Sequence, residues 1–342
     1  MSTTAAPTAM EMSKTIIDQI ATAVANGGNP EDARAALADV LKNQGTAPAA
    51  AAAAAAAPKP GALTTAEEKI TRPNGQDYWV RKVGDHHDVA LVREARDRGI
   101  NVLLTGEPGT GKTALIEAAF GSGGSPLYTV QGSGDTELAD FVGGYVQVVS
   151  RASDGKEMIR YEWVDGPLLR AMEEGVPLYI DEIPLIDPKV LPGVYSLMDG
   201  RNELRVTQNP ERGVVKAKEG FYIVAACNPK APGARMSEAL TSRFSLQFEV
   251  TTDYGLARRL GVPAKMVTAA QNMQRKVEKD EMSWAPQLRE LLAFRDIASI
   301  YGEDTALANI VSISPEIDRS LVLDVMTRSF SKKISELKTS TS

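Results

Sequence analysis

The sequence predicts an α/β fold in which a doubly wound parallel sheet is followed by a smaller α-helical domain. Between residues 77 and 252, short apolar runs alternate with segments of helical spacing, which is the pattern of parallel strands joined by helices. After Asp253 the strand signals fade, and helical stretches follow at 255–279, 285–301 and 316–337. We therefore expect an α/β domain at 77–252 and an α-helical lid domain at 253–342.

The predicted strands are continuous apolar runs, at 101–105, 127–130, 177–180, 221–226 and 245–250. Such runs indicate strands that are buried on both faces, as in a parallel sheet covered by helices. Helical segments are predicted between them, at 88–98, 112–120, 167–174 and 188–199. A β-hairpin is predicted at 203–217, around the turn residues 209–213.

Two segments before the α/β domain differ from it in composition. Residues 1–44 are predicted to form an N-terminal helical arm, and a semi-ordered tail is the alternative. Apolar side chains recur there at helical spacing in two sets: Ile16, Ile17, Ile20 and Val24, then Ala33, Leu37, Val40 and Leu41. Residues 45–76 are predicted to be an Ala/Pro-rich linker, because prolines flank its alanine run and stop helices from continuing through it.

Composition and charge exclude several classes of protein. Hydrophobic residues make up 43% of the 342-residue chain and charged residues 24%, as in ordinary globular proteins. The net charge of −6 gives no global attraction to nucleic acid or to an anionic membrane. The single cysteine, Cys227, excludes an intramolecular disulfide and a CxxC zinc site. Since neither a membrane span nor a signal peptide is evident, we expect a cytoplasmic protein.

A complete phosphate-binding motif lies between a predicted buried strand and a predicted helix. Residues 106–113 have the sequence GEPGTGKT, which matches G-x-x-x-x-G-K-[ST]. Its glycines let backbone N–H groups surround phosphate oxygens, and the helix dipole adds attraction. We expect Lys112 to reach the β- and γ-phosphates of ATP and the Thr113 hydroxyl to bind Mg²⁺. The predicted nucleotide-binding residues are Gly106, Glu107, Pro108, Gly109, Thr110, Gly111, Lys112, Thr113 and Ala114.

An acid pair, Asp181 and Glu182, ends the predicted strand at 177–180. In a doubly wound sheet, ligands bind at the carboxyl ends of the strands, so this pair is expected to face the phosphates. Asp181 is the candidate that holds Mg²⁺ through water, and Glu182 is the candidate that orients and deprotonates the attacking water. A solvated acidic strand end is the alternative.

Two further residues follow the later strands. Asn228 ends the strand at 221–226 and can hydrogen-bond the γ-phosphate or the attacking water, although an Asn-Pro turn is the alternative. Arg243 precedes the last strand, from which it can project towards a neighbouring subunit and stabilise transition-state charge. A surface arginine is the alternative there, and Arg235 is a weaker competitor. Cys227 is expected to be a small core residue.

The order of these motifs resembles the MoxR-like branch of AAA+ P-loop ATPases, a group that includes CbbQ, NorQ and the chelatase motor subunits. The resemblance covers residues 77–300. Beyond the shared motifs, it rests on GDTEL at 134–138 with VGGY at 142–145, on WVDGPLLR at 163–170, and on the hairpin at 203–217.

The resemblance implies a ring, usually a hexamer, with ATP at the subunit interfaces. Arg243 would act in trans and Asn228 would sense the γ-phosphate. Segments 131–163 and 203–217 would be the moving, substrate-facing parts, and the client would be a protein, often with a von Willebrand factor A domain.

One departure from the family pattern concerns the C-terminal domain. Gln287 occupies the position where relatives tend to carry an arginine, and Arg289 lies two residues later. Either Arg289 serves as the second sensor of nucleotide, or this function is lost.

Other functions are weighed against this one. A nucleic-acid motor is supported by a basic cluster in the predicted hairpin, but acidic residues interleave it and no aromatic-basic alternation suggests base stacking. That cluster is Arg201, Arg205, Arg212, Lys216 and Lys218, with Glu203, Glu211 and Glu219 between. A nucleotide-binding scaffold has no need of a base such as Glu182. A GTPase is disfavoured because the guanine-reading N-K-x-D is absent.

Two pairs of side chains leave smaller questions open. His86 and His87 could cap the helix at 88–98 or lie near the adenine, and a metal site is not favoured there because no acidic cluster lies beside them. Phe141 and Tyr145 are interpreted as packing aromatics rather than as substrate-gripping residues.

Overall fold

The computed structural model describes residues 69–122, 126–151, 157–231, 233–234 and 236–338. The predicted arm at 1–44 and most of the predicted linker at 45–76 lie outside the described residues, as does Arg235. A short strand already pairs within the range predicted as linker, because Lys69–Thr71 lies antiparallel to Asp77–Trp79. The limits of the four predicted segments stay predictions.

The strands, numbered along the chain, are β1 (Lys69–Thr71), β2 (Asp77–Trp79), β3 (Lys82–Val83), β4 (His86–His87), β5 (Val102–Thr105), β6 (Tyr128–Gln131), β7 (Gly143–Arg151), β8 (Glu157–Asp165), β9 (Pro177–Asp181), β10 (Glu203–Arg205), β11 (Val214–Lys216), β12 (Tyr222–Cys227) and β13 (Leu246–Glu249). The helices are α1 (Asp88–Asp97), α2 (Lys112–Ile116), α3 (Leu138–Val142), α4 (Pro167–Glu174), α5 (Pro192–Met198), α6 (Glu238–Thr241), α7 (Tyr254–Arg259), α8 (Ala264–Val277), α9 (Leu288–Tyr301), α10 (Glu303–Ile313) and α11 (Arg319–Phe330). A π-helical turn, Glu117–Gly121, continues α2, and a 3₁₀ turn, Ile183–Leu185, follows β9.

The central sheet has five parallel strands in the spatial order β13-β5-β12-β9-β6. Each of them corresponds to one of the predicted apolar runs. Strand β12 is buried along its whole length, as expected for a strand covered on both faces. Because all five strands run in the same direction, their carboxyl ends meet at one edge, and the segments after β5, β9 and β12 therefore lie close together.

Helices cover both faces of this sheet. Successive strand residues point to opposite faces, so Leu103 belongs to the apolar core beneath α4, whereas Leu104 belongs to the core beneath α1 and α2. Helix α4 contributes Leu168 and Leu169 to the first core, and α1 contributes Val92 to the second. This two-sided packing confirms the predicted doubly wound α/β fold.

Helix α4 has the bounds that its sequence predicts. Pro167 occupies the first turn, where a missing N–H costs nothing, and Gly175 ends the helix with a φ of 70°. Such local signals at both ends fix the limits of a helix before any packing is considered.

The C-terminal helices α7 to α11 pack around a separate apolar core that includes Met266, Phe294, Leu307 and Met326. This confirms that a helical region follows the sheet, but the element limits differ from those predicted. The stretch 255–279 is two helices, separated around Pro263.

Helix α10 was not predicted: Gly302, with a φ of 87°, ends α9, and α10 begins at the next residue. The last stretch, predicted at 316–337, is helical only from Arg319 to Phe330, and Ser331 follows it in the left-handed conformation. None of the helices in the described part of the chain has the length and apolar character that crossing a bilayer requires.

Two of the antiparallel hairpins in the described chain lie between successive strands of the central sheet. The predicted hairpin at 203–217 is formed by β10 and β11. The longer β7–β8 hairpin pairs Tyr145 with Trp163 and Val149 with Ile159. Its strands were not predicted, although apolar and polar residues alternate from Ile159 to Trp163 in β8.

Candidate functional site

A cavity of about 520 Å³ lies at the carboxyl edge of the parallel sheet. That volume is in the range typical of sites for small molecules. Of the predicted site residues, those that line it are Pro108, Gly109, Thr110, Gly111, Lys112, Thr113, Ala114, Asp181, Glu182 and Arg289. The structure thus brings together the phosphate loop, the acid pair and the start of α9, which are far apart in sequence.

The phosphate loop needs glycine at three positions. Gly106, Gly109 and Gly111 have φ values of 145°, 84° and 97°, which are unfavourable for residues that have a side chain. A Cβ atom on Gly106 would also lie 2.5 Å from the carbonyl oxygen of Val250. The glycine pattern of the motif is therefore a backbone requirement of this loop, beyond the space it leaves for a ligand.

Lys112 begins α2 and turns back over the loop. Its Nζ donates hydrogen bonds to the carbonyl oxygens of Gly106, at 2.9 Å, and Glu107, at 3.0 Å. Burial lowers the pKa of the Lys112 ammonium, and the nearby Glu182 and Asp181 carboxylates oppose that shift. The ammonium is thus held at the loop by uncharged acceptors, which leaves its charge available to an anion.

The acid pair meets the phosphate loop directly. The Thr113 hydroxyl donates to Asp181 Oδ2 at 3.1 Å and lies 3.2 Å from the Tyr179 hydroxyl. Glu182 has a φ of 50°, which is uncommon for a residue other than glycine and is often found at functional sites. The hydroxyl and carboxylate oxygens of Thr113 and Asp181 converge as Mg²⁺ requires, since Mg²⁺ takes one or two carboxylates and completes its shell with water and phosphate.

Asn228 lies behind Glu182 rather than on the cavity wall. Its backbone N–H donates to Glu182 Oε2 at 3.3 Å, and its side-chain oxygen accepts from the backbone N–H of Lys230 at 3.1 Å. The Asn-Pro turn that was the alternative is therefore present, and the contact of the Asn228 amide with phosphate or water stays a prediction. The residue forms a turn, and that turn contacts the predicted base.

Arg289 reaches the cavity from the start of α9. Its backbone N–H donates to the Gly109 carbonyl oxygen at 3.3 Å. Among the described residues, its guanidinium has no hydrogen-bond or ion-pair partner. Gln287, at the start of the same helix, is buried and uncharged, so the cation that faces the phosphate loop from this helix is Arg289.

Arg243 lies at the opposite edge of the sheet from the phosphate loop. Its carbonyl oxygen accepts from Asn101, which precedes β5, whereas Gly106 follows that strand. The four residues of β5 lie between Asn101 and Gly106, and these five residue steps span about 16 Å. The Arg243 guanidinium pairs with Asp199 at 3.0 Å and lies 4.5 Å from the ring centre of Tyr195. Arg243 thus does not belong to the cavity of its own chain.

One functional residue, Arg81, was missed by the sequence reasoning. Its Nη1 donates to the carbonyl oxygens of Thr110, at 2.9 Å, and Thr251, at 3.1 Å. Its other nitrogens reach the Tyr78 hydroxyl and the buried Asp88 carboxylate. Arg81 therefore ties the phosphate loop to the segment before α1. Nothing in its sequence spacing indicates this role, because it belongs to no motif.

The two histidines take no part in this site. His86 and His87 form β4 and do not line the cavity. His87 occupies the N-cap position of α1, but its side chain makes no capping hydrogen bond, so the capping prediction was wrong. Short polar side chains such as Ser or Asp cap helices more effectively than an imidazole.

Cys227 is buried in the core of the sheet, as expected. Burial raises the pKa of its thiol to about 11. The thiol is therefore uncharged near neutral pH and lacks the thiolate that nucleophilic chemistry needs.

The two predicted packing aromatics behave differently. Phe141 is fully buried in the core beneath α4, as expected. Tyr145 is 53% exposed on the β7–β8 hairpin, where it packs edge-on against Trp163 but lies outside the core.

Comparison with known proteins identifies relatives for part of the chain. An uncharacterized protein of Staphylococcus aureus (strain USA300) is 37% identical over 150 residues, which are 43% of this chain and 54% of that protein. An uncharacterized protein of Staphylococcus haemolyticus (strain JCSC1435) is 37% identical over 146 residues, 42% of this chain and 53% of that protein. The chain spans about half the length of the curated relatives it matches.

A solved structure that resembles the chain is NtrX from Brucella abortus in complex with ADP. It has 15% sequence identity and a TM-score of 0.36, and the overlap covers 74% of this chain and 51% of NtrX. At this level of similarity it says nothing about the site.

A family model also matches part of the chain. Residues 101–244 match the model described as "AAA domain (dynein-related subfamily)". The match begins just before β5 and ends just before β13, so it contains the phosphate loop, the acid pair, Asn228 and Arg243. Residues 101–244 are therefore similar to the AAA domain, and the parallel sheet with its phosphate loop has the P-loop nucleotide-binding fold.

Proposed function

We propose that this chain is an ATPase that hydrolyses MgATP in the cavity between the sheet and α9. The observation that supports this most directly is the hydrogen bond from Thr113 to Asp181, with Glu182 beside them. It joins the phosphate loop to an acid pair at the point where the γ-phosphate of a bound nucleotide would lie. The apolar part of the same cavity would take the adenine, and it is lined by Trp79, Leu256, Leu260, Leu288 and Leu292.

The proposed reaction assigns a task to each polar residue. Lys112 would neutralise charge on the β- and γ-phosphates, and Glu182 would accept the proton of the attacking water. Thr113 and Asp181 would hold Mg²⁺, which supplies positive charge to the phosphate oxygens when bound. Asn228, in contact with the Glu182 carboxylate through its backbone, would orient that base and sense the γ-phosphate.

Replacing Lys112 by alanine should abolish tight nucleotide binding. The substitution removes the buried cation that turns back over the loop, and losing one partner of a buried charge pair costs about 2–5 kcal/mol, or roughly 30-fold or more in Kd. A titration with a fluorescent ATP analogue measures this, with Lys279→Ala, an exposed lysine of the helical region, as the control. Unchanged affinity in Lys112→Ala would exclude the cavity as the ATP site.

The proposed working form is a ring of identical chains, taken as a hexamer from the resemblance to the MoxR-like branch. Arg243 lies outside its own cavity, at the far edge of the sheet, so it could complete only the site of a neighbouring copy. The proposed location is the cytoplasm, where the lone buried thiol stays reduced.

We further propose that ATP turnover drives the remodelling of a protein client, for which a partner with a von Willebrand factor A domain is the candidate by resemblance. The β7–β8 hairpin supports a protein client, because one of its faces is almost wholly apolar and exposed. Tyr161 is 67% exposed and Ile159 60% exposed there, with Val149 and Tyr145 alongside. Exposed apolar patches of this kind mark surfaces that bind proteins.

A nucleic-acid client has weaker support. Arg212, in the middle of the basic cluster, forms a two-pronged ion pair with Asp165 at 2.9–3.2 Å and a second with Glu173. The Arg212 charge is therefore neutralised by carboxylates of the same chain. The ion pair with Asp165 joins the β10–β11 turn to the last residue of β8. Arg201, Arg205 and Lys216 remain exposed, but acidic residues interleave them.

Extended polypeptide such as casein should stimulate ATP turnover several-fold, whereas single-stranded DNA should not. Tyr161→Ser should remove that stimulation and leave basal turnover unchanged, because the hairpin lies outside the cavity. Tyr301→Ser is the matched control, since Tyr301 is 69% exposed at the end of α9. Stimulation by DNA that falls steeply with salt would instead favour the nucleic-acid motor.

A further inference from the structure

Glu107, the second residue of the phosphate loop, contacts two other parts of the molecule through its carboxylate. One oxygen accepts a hydrogen bond from Gln287 Nε2 at 2.6 Å, and the other pairs with Lys230 Nζ at 3.1 Å. Its backbone carbonyl oxygen accepts from Thr110 and Lys112 within the loop. Glu107 is thus the point at which the loop, the segment after Asn228 and the helical region meet.

Gln287 is held in place for this contact from several sides. It is 5% exposed, and its side-chain oxygen accepts from the Thr252 hydroxyl at 2.6 Å. Its backbone N–H donates to the Glu290 carboxylate at 3.0 Å, in a capping box that fixes the start of α9. A buried amide with its oxygen already used presents its N–H donors in a defined direction, and Glu107 lies there.

The start of α9 approaches the phosphate loop so closely that a side chain at Gly109 would be crowded. A Cβ atom on Gly109 would lie 3.0 Å from Cβ of Arg289 and 3.3 Å from the Glu290 carboxylate. The Arg289 N–H donates to the Gly109 carbonyl oxygen at the same contact. The position of the Arg289 guanidinium in the cavity therefore depends on how α9 is seated on the loop.

We propose that Glu107 and Gln287 form a latch that seats α9 on the phosphate loop and thereby positions Arg289 towards bound nucleotide. Lys230 balances the Glu107 charge, so that the carboxylate does not repel the phosphates. In this latch, Gln287 holds the loop and Arg289 supplies the cation. This inference rests on the proposed nucleotide site.

A double-mutant cycle on the latch tests the proposal. Gln287→Glu places a second carboxylate against Glu107, and like charges in contact should unseat α9. We expect the Kd for a fluorescent ADP analogue to rise by about tenfold or more in an otherwise wild-type chain. In a Glu107→Gln background the same change re-forms the hydrogen bond with donor and acceptor exchanged, and the increase should largely disappear.

Two further variants separate the latch from general damage. Gln271→Glu adds the same charge to α8, next to Arg258, and should leave the affinity unchanged. Gln287→Met removes the donor without adding charge, so it should weaken binding even if Gln287→Glu does not fold. Hydrogen exchange should also rise together at 106–113 and at 287–292 in the Gln287 variants, because both segments lose their shared contact.

The outcomes distinguish the latch from the nucleotide site itself. If the wild-type chain binds the ADP analogue in a manner that needs Lys112, but Gln287→Glu weakens binding equally in both backgrounds, the latch is wrong and the site stands. If the wild-type chain does not bind nucleotide at all, the proposed function fails first. If Gln287→Glu raises the Kd only in the chain that keeps Glu107, and not in the Glu107→Gln chain, the latch is supported.

Discussion

Replacing Arg243 by alanine should lower kcat for ATP hydrolysis by about 10³–10⁵-fold, the range associated with arginine fingers in phosphoryl transfer. The reason is geometric, because Arg243 lies at the opposite edge of the sheet from its own phosphate loop. Its effect on turnover must then arise in the cavity of another copy. Steady-state phosphate release measures the loss, and nucleotide affinity of the isolated chain should change little.

Mixing two inactive variants tests that this arginine acts in trans. A chain with Arg243→Ala keeps an intact cavity, and a chain with Glu182→Gln keeps an intact arginine. A mixture of the two should recover part of the turnover, at interfaces where the Glu182→Gln chain supplies Arg243 to the intact cavity of the Arg243→Ala chain. Asp199→Asn is the control, because it breaks the same ion pair within one chain but leaves the arginine in place. No recovery on mixing would place Arg243 in a purely local role.

Replacing Glu182 by glutamine should lower kcat by about 10²–10⁴-fold while ATP still binds. Glutamine keeps the shape of the side chain and can still accept the backbone N–H of Asn228, but it cannot take a proton from water. The variant should therefore hold ATP without turning it over. Binding by equilibrium titration and turnover by phosphate release separate the two effects.

Glu316→Gln, at an exposed site in the helical region, is the matched control for Glu182→Gln. It makes the same chemical change far from the cavity and should behave as wild type. If Glu182→Gln hydrolyses ATP at the wild-type rate, Glu182 is not the base and the acid pair serves binding alone.

The parallel sheet and the phosphate loop were predictable because local sequence determines both. A strand that is buried on both faces, such as β12, is a continuous apolar run, and such a run between predicted helices indicates a parallel strand. Gly106, Gly109 and Gly111 each have a positive φ, so the glycine spacing of the motif predicts the backbone conformation of the loop. Asp181 and Glu182 could be placed next to that loop because parallel strands end at one edge.

The β7–β8 hairpin and Arg81 were not predicted, because their contacts join residues that belong to no shared motif. The hairpin is stabilised by the antiparallel pairing of β7 with β8, and the alternation at 159–163 was the one local signal for it. Arg81 holds Thr110 and Thr251, which are distant along the chain, and such contacts exist only after folding. The latch has the same origin, since 180 positions separate Glu107 from Gln287.

The most direct test of the account is ATP turnover per chain, measured with Mg²⁺ across a series of protein concentrations. The central claim is that each cavity is completed by a neighbouring copy, so activity per chain should rise with concentration and level off once rings have assembled. Turnover that is constant down to concentrations where the chain is monomeric would contradict that claim, and so would the absence of turnover at any concentration.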